Sequence, residues 1–187
     1  MSKSISQDTI NQEWSEIQAA QENPRYFRPL YNRYYESVFR FVLRRTSDEA
    51  LTADLCSQIF LKAMENLQKY QHRGVPFSAW LFRIASNEVA QHFRNVQKSR
   101  VVSVAENTLS DVVEEMEDED NFQLDRQQLI EVLETLKPDD MQLIEMRFFE
   151  QRPFKEVAEI LGITENNAKV KTYRILQRMK KKMNSMN

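Results

Sequence analysis

The sequence has few of the residues that build turns and crosslinks. One cysteine, Cys56, stands among 187 residues, so no intramolecular disulfide can form, which is typical of a reducing compartment. Only two glycines and five prolines are present, whereas sheet-rich folds usually need more of both in their turns. Composition therefore disfavours a disulfide scaffold and a β-sandwich, and it favours an all-α fold.

Long apolar runs are also missing. No run approaches the ~18 residues that a transmembrane helix needs. Residues 1–10 contain no apolar segment of the kind found in a signal peptide. We therefore expect no membrane insertion and a cytoplasmic location. Hydrophobic residues make up 41% and charged residues 29% of the sequence, which is enough of each for a folded chain that stays in solution.

Residue groupings typical of an enzyme are absent. His72 and His92 are isolated, Cys56 has no convincing partner, and there is no glycine-rich phosphate loop. The acidic residues in 114–120 lack the glycine pivot of a calcium loop. We expect a protein that is not an enzyme, with no catalytic residue, cofactor or metal. Cys56 is expected to be a buried small apolar residue rather than a redox switch.

Charge is distributed unevenly along the chain. The net charge is −2, but residues 101–125 hold nine acids and no lysine or arginine, while the segments on either side are both net positive. Repelling charges without an apolar face are typical of a linker. The sequence thus predicts an N-terminal tail (1–20), a helical domain (21–100), an acidic flexible linker (101–125) and a second helical domain (126–187).

The first domain contains three amphipathic patterns, and the third of them has an unusual polar face. Pro76 is predicted to start this helix, whose apolar positions, including Trp80, are predicted to face the core. Its other face carries five polar residues three or four apart, without an acid: Arg83, Asn87, Gln91, Arg94 and Lys98. Amides can hydrogen-bond base edges, and cations can hold phosphates. Three neighbouring rings are candidates for stacking on unpaired bases: Tyr70, His72 and Phe77.

The second domain has the pattern helix, glycine turn, helix. Residues 154–161 are amphipathic, Gly162 ends them, and Thr164 is a candidate N-cap for a basic helix. This order is typical of a helix-turn-helix, whose second helix enters the DNA major groove. Its outward residues would be Glu165, Asn166, Asn167, Lys169, Val170, Lys171, Tyr173 and Arg174. A plain αα-hairpin in a helical bundle is the alternative.

Two stretches in the first domain, together with the second domain, resemble a known family. Residues 54–63 (DLCSQIFLKA) are similar to the core-binding helix of bacterial sigma factors, and residues 77–87 (FSAWLFRIASN) closely resemble their next helix. The last 60 residues resemble their C-terminal helix-turn-helix domain. Order, spacing and chain length resemble the extracytoplasmic-function, or group IV, sigma factors.

The resemblance implies a role for each matched residue. Asp54, Gln58 and Phe60 match polymerase-binding positions. Thr164–Arg174 matches the recognition helix for the minus-thirty-five promoter element. The element that captures the melted minus-ten strand is matched by the loop 70–75 and the following helix, and its candidate residues are Tyr70, His72, Arg83, Asn87, Gln91, Arg94 and Lys98.

The resemblance also implies partners, and it leaves one competing function. The partners would be core RNA polymerase, promoter DNA and an anti-sigma factor, with the free protein a monomer. Asn166 and Asn167 stand where the family often has Gly-Thr, and Val170 stands where Ser is common. Gln91 replaces a frequent Asp. The promoter sequence that this protein recognises is therefore not predicted. The alternative is a self-sufficient helix-turn-helix regulator that binds DNA without polymerase.

Overall fold

The structure is a computed structural model that describes residues 7–96, 112 and 126–186. The chain divides into two compact units, one containing the described residues 7–96 and the other containing 112 and 126–186. We call residues 7–96 the N-terminal module and residues 126–186 the C-terminal module. Helices and turns, without any strand, make up the described ranges, so the prediction of an all-α fold is confirmed there.

The N-terminal module consists of four α-helices and two short 3-10 turns. The α-helices are α1 (Gln7–Glu22), α2 (Arg28–Thr46), α3 (Glu49–Asn66) and α4 (Phe77–Val96), and the 3-10 turns are Pro24–Phe27 and Leu67–Lys69. The α2–α3 junction follows from two neighbouring residues. Ser47 adopts a left-handed conformation with φ 51° and closes α2, while the Asp48 carboxylate accepts a hydrogen bond from Leu51 N at 3.0 Å and begins α3. Asp48 is therefore the N-cap of α3.

The core of this module lies among α2, α3 and α4. Phe41, Ile59 and Phe82 are all at most 1% exposed, and the rings of Phe41 and Phe82 meet edge to face at 5.1 Å. Burying each such side chain contributes roughly 1.5–3 kcal/mol. Cys56 lies in the same core, as predicted, and burial raises the pKa of its thiol to about 11. The thiol is therefore neutral at physiological pH, which makes it a poor nucleophile.

The structure corrects the expectation that residues 1–20 are a tail. Residues 7–22 form α1, and Ile17 and Ala20 on this helix are 1% and 2% exposed. The apolar periodicity of α1 is interrupted, because a charged residue, Glu13, occupies one of its buried positions. A carboxylate can be buried there only because other groups of the module satisfy it.

The C-terminal module contains the predicted helix-turn-helix. Its helices are α5 (Arg126–Glu134), α6 (Pro138–Ile144, continued by a π turn over Glu145–Phe149), α7 (Phe154–Leu161) and α8 (Glu165–Asn184). Gly162 ends α7 with φ 66° and ψ 35°, a left-handed conformation that glycine adopts without steric cost. Thr164 begins α8, and its side chain accepts a hydrogen bond from Asn167 N at 3.2 Å. Both local predictions are confirmed.

Candidate nucleic-acid interface

Helix α8 has one buried and one exposed face. Its inner residues pack in the module and are all at most 5% exposed: Ala168, Thr172, Ile175, Leu176, Met179 and Met183. The predicted outward residues are all exposed: Thr164, Glu165, Asn166, Asn167, Lys169, Val170, Lys171, Tyr173 and Arg174. Two of these are large and apolar or aromatic, with Val170 37% and Tyr173 51% exposed. The first half of α8 can therefore offer amides, a methyl-rich side chain and a ring to a groove of DNA.

Cations flank this surface along α8, and some of them are paired. Lys169 Nζ lies 2.8 Å from Glu165 Oε1 one turn earlier, and Arg178 Nη2 lies 2.6 Å from Asp140 Oδ2 on α6. A groove of about 580 Å³ runs between α6 and α8, lined by Asp140, Lys171, Arg174, Ile175, Gln177, Arg178 and Lys181. Four cations against one acid give the groove a positive charge, which suits a phosphate backbone.

The predicted polar stripe of α4 lies on the surface of the N-terminal module. Arg83, Asn87, Gln91 and Arg94 are all exposed, three or four residues apart on one face of the helix. Lys98, the last predicted member, lies outside the described residues. The stripe begins beside a groove of about 300 Å³ lined by Lys62, Asn66, Lys69, Trp80, Arg83, Ile84, Asn87 and Glu88.

Sequence reasoning missed part of this groove. Lys62, Asn66 and Lys69 come from the end of α3 and the turn after it, and only the packing of α3 against α4 brings them beside Asn87. Lys62 Nζ lies 2.6 Å from the Glu88 carboxylate, which is 10% exposed and draws the lysine towards α4. Their pairing crosses 26 positions of sequence, so no local periodicity could have indicated it.

Two aromatic residues, Tyr70 before α4 and Trp80 in its first turn, differ from expectation. Trp80, predicted to face the core, is half-buried and lines the groove. Tyr70, predicted to stack on a base, is only 7% exposed, and its ring packs against Phe77 and Trp80 at 5.3 and 5.1 Å. The structure thus corrects the expectation for Tyr70, because its ring already has aromatic neighbours in the core. His72 is half-buried and stacks on Trp14 at 5.5 Å.

The exposed face of α3 carries two of the three residues predicted to bind polymerase. Asp54 and Gln58 are exposed, one helical turn apart. Phe60 is 3% exposed, and its ring contacts Tyr31 at 4.7 Å, so it supports α3 from inside and presents no surface to a partner. Two residues that sequence reasoning missed extend the exposed face, because Leu61 and Met64 are 57% and 40% exposed. Exposed apolar side chains at helical spacing are typical of an interface.

These features define a class of protein: two helical modules, one carrying a helix-turn-helix and the other a polar stripe beside a cationic groove. Comparison with known families matches each module separately. Residues 30–100 match the model of Sigma-70 region 2, and residues 126–179 match the model of Sigma-70 region 4. The chain therefore belongs to the sigma-70 family, as a sigma factor of the extracytoplasmic-function type.

Curated relatives agree with this assignment, and solved structures share the fold. The sigma factor BldN of Streptomyces coelicolor is 28% identical over 152 residues, which are 81% of this chain and 58% of BldN. SigM of Bacillus subtilis is 25% identical over 81% of this chain and 91% of its own length. The fold is shared with CnrH, solved with the cytosolic domain of CnrY (TM-score 0.59, 18% identity, covering 93% of this chain and 96% of CnrH). RpoE of Bartonella quintana, solved with the anti-sigma factor NepR, also shares it (TM-score 0.53, 21% identity, covering 84% and 96%).

Within the described residues, no helix is both long and apolar enough to cross a membrane. The same residues contain no cluster of three or more histidine, cysteine or acidic side chains that could hold a metal ion.

Proposed function

We propose that this chain binds core RNA polymerase in the cytoplasm, directs it to promoter DNA and supports strand opening, without catalysing a reaction itself. One observation carries the proposal: a single chain of the sigma-70 family has two separate exposed surfaces suited to nucleic acid, on α4 and on α8. A protein that only binds duplex DNA would need the surface on α8 but not the surface on α4. The first surface is suited to a strand whose bases are unpaired.

Polymerase would bind through the exposed face of α3. Asp54 and Gln58 supply polar contacts, and Leu61 and Met64 supply the apolar area that interfaces commonly bury. This surface lies on a different helix from the polar stripe of α4, so one module can hold the polymerase and a DNA strand at once.

Strand opening would depend on the stripe of α4. DNA stacking is about 1.4 kcal/mol per step, so opening several steps needs compensation from captured bases and from polymerase contacts. Asn87 and Gln91 can hydrogen-bond unpaired bases, and Arg83 and Arg94 can hold the backbone. Trp80, half-exposed in the groove beside them, adds a face on which a base can stack. These contacts favour one separated strand and leave the other as template.

An anti-sigma protein is proposed as a further partner. Among the proteins that share this fold, RpoE was solved with the anti-sigma factor NepR. The exposed apolar residues Leu61 and Met64 would be a contact for such a protein as well as for polymerase. An inhibitor that covers α3 would then exclude polymerase by direct competition.

The test of this function is run-off transcription on genomic fragments with purified core polymerase, followed by mapping of start sites. We expect discrete transcripts that need both the core enzyme and this protein. Absence of any initiation would overturn the proposal. A gel shift with and without core polymerase separates it from a self-sufficient regulator, which would bind an operator tightly alone and elute as a dimer. We expect weak duplex binding by the free monomer.

Val170 is expected to favour a thymine in the minus-thirty-five element. Its side chain is exposed on α8 one turn after Asn166, and an apolar side chain there can contact the thymine methyl group. Burying one methyl-sized group contributes about 0.8 kcal/mol, so replacing that thymine by uracil should weaken holoenzyme binding about fourfold. Val170→Ala, whose shorter side chain buries less of the methyl group, should reduce the difference between the two templates.

The control for this measurement is Lys169→Ala. A lost phosphate contact should weaken binding to the thymine and uracil templates alike. It should also reduce, by about one, the slope of the logarithm of the binding constant against the logarithm of the salt concentration. If uracil at each thymine of the element leaves wild-type binding unchanged, Val170 does not read a methyl group.

A further inference from the structure

Helix α1 precedes the residues matched by the family model, which begin at residue 30. It nevertheless packs along the segment from Leu67 to Phe77, which connects α3 to α4 and contains the loop 70–75. Three side chains of α1 make these contacts, near the beginning, middle and end of the segment. We call them the α1 clamp: Glu13, Trp14 and Gln21.

Gln21 holds the beginning of the segment. Its Nε2 donates hydrogen bonds to Leu67 O at 2.9 Å and to Tyr70 O at 3.2 Å, across the 3-10 turn that follows α3. Gln68 Nε2 donates back to Gln21 O. A side chain that bridges two carbonyls of one turn fixes the direction in which the chain leaves it.

Trp14 holds the middle of the segment. Its ring stacks on His72 with centroids 5.5 Å apart and an interplanar angle of 25°, and it lies 6.2 Å from the Tyr70 ring. His72 thus has its imidazole fixed by α1 from one side. Aromatic pairs at this spacing add to the stabilisation from burial alone.

Glu13 holds the end of the segment. Its carboxylate is buried, with the residue 4% exposed, and Oε2 accepts a hydrogen bond from Phe77 N, the first residue of α4, at 2.8 Å. The Tyr34 hydroxyl donates to Oε1, and Arg33 Nη1 lies 3.5 Å from the same oxygen. An anion at a helix N-terminus is favourable, and Arg33 offsets the burial of its charge.

We propose that the α1 clamp sets the conformation of residues 67–77 for capture of the minus-ten strand, so that Glu13, Trp14 and Gln21 are positioning residues of strand opening. The inference rests on the proposed role of this loop and of α4. Ordering a loop only when the strand binds would cost conformational entropy, and a loop already held by α1 avoids that cost. The clamp residues need not touch DNA themselves.

The experiment measures binding of reconstituted holoenzyme to fork-junction DNA in which the minus-ten element is already single-stranded. The promoter is one mapped by run-off transcription. Gln21→Ala and Trp14→Ala are expected to weaken this binding about tenfold. Their affinity for core polymerase and for minus-thirty-five duplex should match the wild type. Gln18→Ala, an exposed glutamine on the same helix, is the matched control and should have no effect.

Each outcome supports or overturns the inference. Recovery of fork binding in Trp14→Phe, which keeps a ring over His72, supports positioning by stacking. Loss of polymerase affinity together with fork affinity overturns it, because α1 would then only hold the module folded. If both alanine variants bind fork DNA as tightly as the wild type, the inference about the α1 clamp is overturned. The proposed function is then still supported if Arg94→Glu loses fork binding. If Arg94→Glu also binds normally, the proposed role of α4 fails together with the inference.

Discussion

Replacing Arg94 with glutamate is expected to abolish promoter opening, which means a loss of at least tenfold in the footprinting signal, while polymerase binding stays intact. Arg94 is exposed in the last turn of α4, on the same face as Asn87 and Gln91. A carboxylate at this position would repel the backbone of the strand that the stripe is proposed to hold. Because the side chain is on the surface, the substitution should change the free energy of unfolding by no more than about 0.5 kcal/mol.

Permanganate footprinting of thymines in the minus-ten region measures this effect. Arg94→Lys, which keeps the positive charge, is the matched control and should retain most of the opening. A core polymerase titration run in parallel shows that holoenzyme still forms. If thymines react equally with Arg94→Glu and with the wild type, Arg94 has no role in strand capture.

The second large effect is expected for Asp54→Arg, which should weaken association with core polymerase by roughly 30-fold or more. Asp54 is exposed on α3, beside Gln58, and is proposed to meet a cationic group of the polymerase. Truncating one partner of a buried, hydrogen-bonded charge pair at an interface costs about 2–5 kcal/mol, and reversing the charge adds repulsion.

Fluorescence titration of labelled protein with core polymerase measures this association, and a pull-down of the core enzyme provides a second readout. Glu49→Arg is the control, because Glu49 lies five positions earlier and therefore about 140° away around the helix. It carries the same charge change on another face and should bind nearly as tightly as the wild type. An Asp54→Arg variant that recovers the core enzyme normally would contradict the assignment.

The C-terminal module was largely predictable from local sequence. Gly162 ends α7 and Thr164 caps α8 as expected, and the inner and outer faces of α8 follow from a period of 3.6 residues. Each of these features depends on residues within a few positions of one another. Local patterns of this kind are visible in one sequence because the interactions that cause them are themselves local.

The N-terminal module was less predictable. The stripe of α4 lies on the surface as expected, but Tyr70 and Phe60 are buried, Trp80 is half-exposed, and a helix replaces most of the expected tail. A single aromatic residue looks the same in sequence whether it packs in the core or faces solvent. Its environment depends on which other helix covers it, and α1 was not foreseen.

The sequence by itself determined the all-α class, the helix-turn-helix, the faces of α4 and α8 and the resemblance to sigma factors, because these depend on composition and short-range periodicity. Only the tertiary structure decided the cationic groove between α3 and α4 and the burial of Glu13, whose carboxylate reaches Phe77 N across 64 positions of sequence. Such contacts form because several helices bury one shared core. No periodicity within one segment encodes which distant residue will lie opposite it.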